Sequence, residues 1–313
     1  MHYSKYVPIW SLWLAFSTMI SADCMHGTTM HKRALAKRAE VGKFGYTGRL
    51  SPINWSNLFP ENAACATSLN QSPINLDETI EFSEEVPQID FPFVNNATLL
   101  NIGTTVEVEF KGKCGGGTTK FGGQTFRLVQ FHFHTPSEHR VDGEYFPLEM
   151  HMVHETLVLY LYKCANGTAD PKSLVVLALL FQLSSCAGVP FLDPIVSSLP
   201  AITKPGSETT IKGIDLSPAV ELLTNSSAET FTYIGSLTTP PCSEGLPFLI
   251  PNERLPISVS QFNALKNVLK FNSRYTQNSL GDGNLIQIAN GNDSNVQETK
   301  QQLLELGGEG IDE

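Results

Sequence analysis

Between residues 97 and 239 the chain is written in short runs rich in Val, Phe, Leu and Thr, most of them alternating: ATLLNIGTTVEVEF, TFRLVQFHFHT, LEMHMVHE, LVVLALLFQL and TFTYIGSLTT. A period of two puts successive side chains on opposite faces of an extended backbone, so these runs read as strands. Between them lie turns such as KGKCGGG and FGGQ, whose glycines supply the backbone freedom a reversal needs. Helical spacing is confined to SPAVELLTN and SVSQFNALKNVLKF, the second opened by a serine suited to capping. The expected fold is a β-dominated α+β single domain. A chain of 313 residues, 41% of them hydrophobic, supplies the core, and neither an internal repeat nor a linker divides it.

The ends have a different character. YVPIWSLWLAFSTMISA follows a lone Lys5 and closes in small residues, which reads as a signal peptide over residues 1–22 and an extracellular destination. Residues 23–38 are unpatterned and hold Lys32-Arg33 and Lys37-Arg38, the pattern of a propeptide ending in a dibasic site; a basic linker that stays attached is the alternative. The catalytic candidate is then residues 39–290, followed by an acidic tail, 291–313, without the apolar end of a lipid-anchor signal, so no membrane anchor is expected. A net charge of −10 lacks the positive field that holds a nucleic acid backbone. Six cysteines without a CxxC pair point to disulfides in a secreted chain, not a zinc-thiolate knuckle. Sequons stand at Asn54, Asn70, Asn96, Asn166, Asn225 and Asn292, and Asn54 and Asn70 fall in segments expected to be structured. The sequence leaves the oligomeric state open.

Five of the eight histidines fall between residues 132 and 154. In QFHFH, Gln130, His132 and His134 share one strand face while Phe131 and Phe133 share the other. In LEMHMVHE, Glu149, His151 and Val153 lie on one face and Met150, Met152 and His154 on the opposite one. Either His151 or His154 can join the first pair, but not both. The short connection TPSEHRVDGEYFP makes the two strands antiparallel neighbours, so three imidazoles can converge on one metal. Three nitrogen ligands with a fourth position open are what a catalytic zinc site requires. His132-X-His134-X3-Glu138 also has the spacing of cupin-type metal oxygenases, with Glu138 as a ligand. That arrangement needs a further histidine downstream, and none follows His154.

QFHFH, SEHRVDGEYFPLEMHMVH and GSLTTPPCSEG, with FGYTG from residue 44, NQSPINL from residue 70 and FNSRYTQ from residue 271, resemble the α-class carbonic anhydrases from about residue 44 to 290. The resemblance implies a large, mainly antiparallel twisted central sheet with peripheral short helices. It further implies reversible hydration of carbon dioxide to bicarbonate and a proton by a zinc-bound hydroxide, with Zn2+ on His132, His134 and His151. Thr238 matches the threonine that accepts a hydrogen bond from that hydroxide and donates to a buried carboxylate, here Glu138. Gln130, Glu149 and the backbone of Asn272 match the groups that fix the imidazoles. Val153, Val176, Leu237, Thr239, Leu246 and Phe248 match the wall beside the small-molecule substrate, Phe248 standing where a tryptophan is usual and Pro247 where a threonine is. Cys65 and Cys242 match a disulfide, and Cys164 with Cys186 is a second pairing to test.

One departure affects rate. The histidine that carries protons to solvent in the fastest relatives is Thr104 here, so no proton shuttle is expected, and Tyr46 and Thr105 could only order water. The alternative within the resemblance is a catalytically inactive relative serving as a binding protein, though such chains typically lose a ligand histidine. Ester cleavage is an expected side activity.

Overall fold

The computed structural model describes residues 43–111, 115–156, 174–186, 188–225 and 229–291. The expected signal peptide and propeptide, nearly all of the acidic tail, Cys24, Cys114, Cys164 and the sequons at Asn166 and Asn292 lie outside the described residues.

Fourteen strands form among the described residues: β1 (Asn75–Leu76), β2 (Gln88–Asp90), β3 (Ala97–Asn101), β4 (Val106–Glu109), β5 (Thr118–Phe121), β6 (Gln124–His134), β7 (Arg140–Val141), β8 (Glu144–Tyr145), β9 (Leu148–Thr156), β10 (Leu174–Ser184), β11 (Glu208–Ile211), β12 (Thr230–Ser236), β13 (Glu244–Pro251) and β14 (Leu255–Ser258). Eleven of them make one sheet, ordered β11-β3-β4-β6-β9-β10-β13-β12, with β14 beside β10 and with β5 and β2 continuing from β6. Pairing is antiparallel except where β10 meets β13 and β14, so the sheet is mainly antiparallel as expected. The connection between β6 and β9 is more than a loop. Its β7 and β8 form a hairpin that pairs with β1 in a small separate sheet.

The strand alternation decides what each face carries. Phe131 and Phe133 of β6, Met150 and Met152 of β9, and Leu177 and Leu179 of β10 point to one side, against Leu265 of the helix Val259–Leu269 and Ile195 of the helix Asp193–Ser198. Each of those phenylalanines is fully buried, which contributes about 2–3 kcal/mol apiece. The other face carries a second apolar cluster containing Val153, Val176, Leu237, Leu246 and Phe248. Because β10 is covered on both sides, its sequence is a continuous apolar run instead of an alternating one. The helix Val259–Leu269 starts on a reciprocal cap: the Ser258 hydroxyl oxygen accepts from the Gln261 amide, and the Gln261 side-chain oxygen accepts from the Ser258 amide, both at 3.2 Å.

Strand β13 is not among the runs read as strands from the sequence; Pro247 and Pro251 interrupt its pattern. It meets β10 only through Phe248 and Leu249, so neither proline breaks that ladder.

Candidate metal centre

Register brings the histidines together. His132 of β6 lies directly opposite His151 of β9, and His134 lies opposite Glu149. Extending the row, Glu107 of β4 pairs with His132, and Ala178 of β10 pairs with His151. Opposed residues share a face, and the small Ala178 leaves the His151 ring room beside it. The three ring centroids are 4.6 to 5.4 Å apart, and one nitrogen of each ring lies within 4.8 Å of the others. His154 is on the opposite face, which settles the choice left open by spacing alone. Its ring stacks on Phe91, its Nδ1–H donates to the Met152 carbonyl at 2.9 Å, and its Nε2 lies 3.2 Å from the Thr119 hydroxyl. Burial pushes the His154 imidazole down to about 4, against the Met152 and Val175 carbonyls that favour its charged form.

Each ring of the trio is turned by a hydrogen bond at its other nitrogen. His132 Nδ1–H donates to Gln130 Oε1 at 2.8 Å, His134 Nδ1–H to the Asn272 carbonyl at 2.9 Å, and His151 Nε2–H to Glu149 Oε1 at 2.7 Å. In these tautomers the lone pairs are on Nε2 of His132 and His134 and on Nδ1 of His151. Three neutral imidazoles on rigid strands, each oriented by an acceptor, fit a zinc ion. A second cluster of possible ligands, His139, Glu149 and His151, is consumed by its own hydrogen bonds: Glu149 Oε1 accepts from both rings, and Oε2 accepts from the backbone amides of Glu138 and His139. Burial alone would raise the Glu149 carboxyl, but His139 and His151 outweigh it and hold the group well below the usual carboxylate range.

Glu138 is fully buried beside this trio, with Oε1 3.4 Å from His134 Nδ1 and accepting from the Arg274 amide at 2.9 Å. Burial raises its carboxyl well above the ordinary range, opposed by that amide and by the neighbouring Thr238 side chain. The Arg274 guanidinium is itself buried, donating to the carbonyls of Ser72 and Cys65 and to Gln71 Oε1, with its carbon 5.7 Å from the Trp55 ring centre. Burial lowers it to about 10. Sequence reasoning missed Arg274, since an arginine in a polar segment reads as a surface residue until its carbonyl partners are known.

A pocket of about 260 Å³ opens over His132 and His151. Its wall contains the six expected residues, Val153, Val176, Leu237, Thr239, Leu246 and Phe248, with Thr238 and the His132 and His151 rings. Thr238 follows β12 in a turn closed by the Cys242 amide donating to the Thr239 carbonyl at 2.9 Å. A disulfide joins Cys65 to Cys242 across 177 residues, and Gln71 Nε2 donates to the Cys242 carbonyl at 3.0 Å, so the turn is braced from two sides. Cys186 is free and exposed, its expected partner Cys164 lying outside the described residues. Thr104 and Tyr46 are buried. Thr105, expected to be available to water, instead donates to the Phe133 carbonyl at 2.5 Å.

Three histidines able to hold a metal ion thus lie at the base of a largely apolar pocket. A family profile described as eukaryotic-type carbonic anhydrase matches residues 50–298, and the chain belongs to that family, whose activity is the hydration of carbon dioxide. It is 34% identical over 234 residues to a carbonic anhydrase of Pectobacterium atrosepticum, covering 75% of this chain and 86% of that protein. Dioscorin DB3S of Dioscorea polystachya is 32% identical over 226 residues, covering 71% of this chain and 76% of its own. Among solved structures, the fungal alpha carbonic anhydrase from Aspergillus oryzae superposes with a TM-score of 0.70 at 34% identity, covering 80% of this chain and 99% of that one. Among the described residues no helix is long and apolar enough to cross a membrane.

Proposed function

We propose that the chain is a zinc-dependent carbonic anhydrase acting outside the cell, with His132, His134 and His151 as metal ligands and no histidine for proton export. The observation that carries this reading is the set of three imidazoles, each with an acceptor fixing its second nitrogen, beneath an apolar pocket. Zinc held there would supply Lewis acidity, lowering the pKa of a bound water to about 7, a magnitude general to carbonic anhydrases.

The remaining work falls to side chains. Val153, Val176, Leu237, Leu246 and Phe248 offer a linear, nonpolar substrate a dry surface and keep competing water out. Thr238 has one hydroxyl proton; donating it toward Glu138 leaves its oxygen only lone pairs for the site, so it accepts from a nucleophile and aims that nucleophile's free electrons at the carbon. The relay needs Glu138 ionised, and a cation on the neighbouring imidazoles favours that form against burial. Thr239 lies on the wall beside Thr238, placed to touch the bicarbonate product. Export of the proton has no imidazole to use. All five histidines beyond residue 38 are buried in the two strands and their connection, and Thr104 does not ionise near neutral pH. The same open pocket suits slow cleavage of activated esters.

A binding protein without catalysis is the competing reading, and the intact trio weighs against it. Metal analysis tests the ligand assignment. Purified protein is expected to carry one zinc per chain, with His132→Ala, His134→Ala and His151→Ala each losing most of it and His154→Ala keeping it. A His154→Ala chain without zinc beside a fully loaded His151→Ala chain would overturn the assignment.

A further inference from the structure

Behind the trio runs a continuous buried chain of hydrogen bonds that the mechanism above does not use. Glu149 Oε1, which accepts from the ligand His151, also accepts from His139 Nδ1–H at 2.6 Å. With its proton on Nδ1, His139 presents a lone pair at Nε2, and the Tyr233 hydroxyl donates to it at 2.6 Å. With the Tyr233 proton given to His139, the Ser72 hydroxyl, 2.8 Å from the Tyr233 oxygen, is the donor of that pair, and its oxygen accepts from the Ser236 amide at 3.0 Å. Ser236 closes the chain, its hydroxyl oxygen accepting from the Ser72 amide at 2.9 Å while its proton goes to the Leu237 carbonyl at 3.0 Å, one residue before Thr238. With His139 neutral, every proton in the chain has a single place.

The local sequence bends to admit it. A Cβ on Gly235 would stand 2.1 Å from the Ser72 hydroxyl oxygen and 2.5 Å from the Tyr233 ring, so no side chain is compatible with the chain at that position. His139, Ser72 and Ser236 are fully buried and Tyr233 nearly so, leaving no water to replace a lost partner.

We infer that Tyr233 is a positioning residue for the metal site: through His139 it clamps the Glu149 carboxylate that orients His151, and through Ser72 and Ser236 it ties that ligand to the turn carrying Thr238. The inference rests on the zinc reading above. An acceptor bonded directly to a ligand is commonly worth 10- to 100-fold in metal affinity, and Tyr233 stands two bonds further out, so an effect of roughly 5- to 10-fold is expected.

Tyr233→Phe tests it, because the Phe ring retains the stack on Phe248, whose centroid is 5.1 Å away, and deletes only the hydroxyl. Zinc-loaded protein is mixed with excess chelator and the release rate of zinc is followed, alongside the melting temperature of the metal-free protein. The expected result is zinc release about 5- to 10-fold faster in Tyr233→Phe. Leu265→Ala, on the far side of the sheet, should lower the melting temperature and leave release within about twofold of wild type. Release from Tyr233→Phe at the wild-type rate, or changed only in step with melting temperature as in Leu265→Ala, would overturn the inference. Should Tyr233→Phe not fold, Ser72→Ala takes its place, with faster release expected and an unchanged rate counting against it. Wild-type protein that takes up no zinc would overturn the underlying reading of the site, whereas loaded protein indifferent to Tyr233→Phe would overturn only the role given to Tyr233.

Discussion

His154 ties stability to pH in a way that can be measured apart from the metal. It is fully buried against Phe91 and Thr119, and burial pushes its imidazole down from 6.5 to about 4. In the unfolded chain the same group takes a proton near 6.5, so between the two values the unfolded state holds more protons than the folded one. Its contribution is therefore complete above pH ~6.5, declines as pH falls, and is gone below about 4. A tenfold difference in proton affinity is worth about 1.4 kcal/mol, so the interval from 6.5 to about 4 corresponds to about 3 kcal/mol lost across that window. His154→Asn keeps an amide able to donate to the Met152 carbonyl but cannot titrate. Urea unfolding of metal-free wild type and variant, at half-unit steps from pH 7 to 4, reads the difference, because other groups titrate alike in both. The difference in unfolding free energy should change by about 3 kcal/mol from one end to the other, wild type losing more toward acid. Parallel curves would refute the reasoning and mean that His154 is not held neutral in the folded chain.

Thr238→Ala should retain zinc yet lower carbon dioxide hydration by about 10² or more, since it removes the acceptor that orients the nucleophile, and Glu138→Gln should act in the same direction. Loss of zinc from Glu138→Gln, with iron in the native protein, would make Glu138 a ligand and the site a different one. With Thr104 at the position of the usual shuttle, kcat should climb with imidazole-type buffer concentration while kcat/KM stays nearly constant. Thr104→His should raise kcat at low buffer and flatten that dependence; a wild-type kcat insensitive to buffer would show that another group exports the proton.

The faces of β6 and β9 were legible because a period of two is a local property: it put Gln130, His132 and His134 together, and Glu149, His151 and Val153 together, with no knowledge of the rest of the chain. What it could not do was choose between His151 and His154, a question of which face of the sheet the trio occupies. Resemblance supplied that, along with Asn272, which lies 138 residues from the ring it orients. Of the pocket wall, only Val153 followed from strand phase; Leu246 and Phe248 are on β13, where two prolines hid the strand. Arg274 and Tyr233 went unread for one shared reason. Their partners, Gln71, Ser72, Glu138 and His139, are 94 to 203 residues away, and a buried polar side chain carries no sign of its burial until those partners are in place. The single-turn helices Trp55–Leu58 and Ala64–Thr67 are too short to show any helical period.

The reading of the trio as a catalytic zinc site is tested most directly by a zinc titration of chelator-stripped protein, with the initial rate of carbon dioxide hydration followed at each addition in concentrated buffer. Almost no hydration is expected without metal, then a linear rise and a plateau at one zinc per chain, with His151→Ala flat throughout. Full hydration by the stripped protein, or a loaded protein with the trio intact that does not hydrate carbon dioxide, would contradict it.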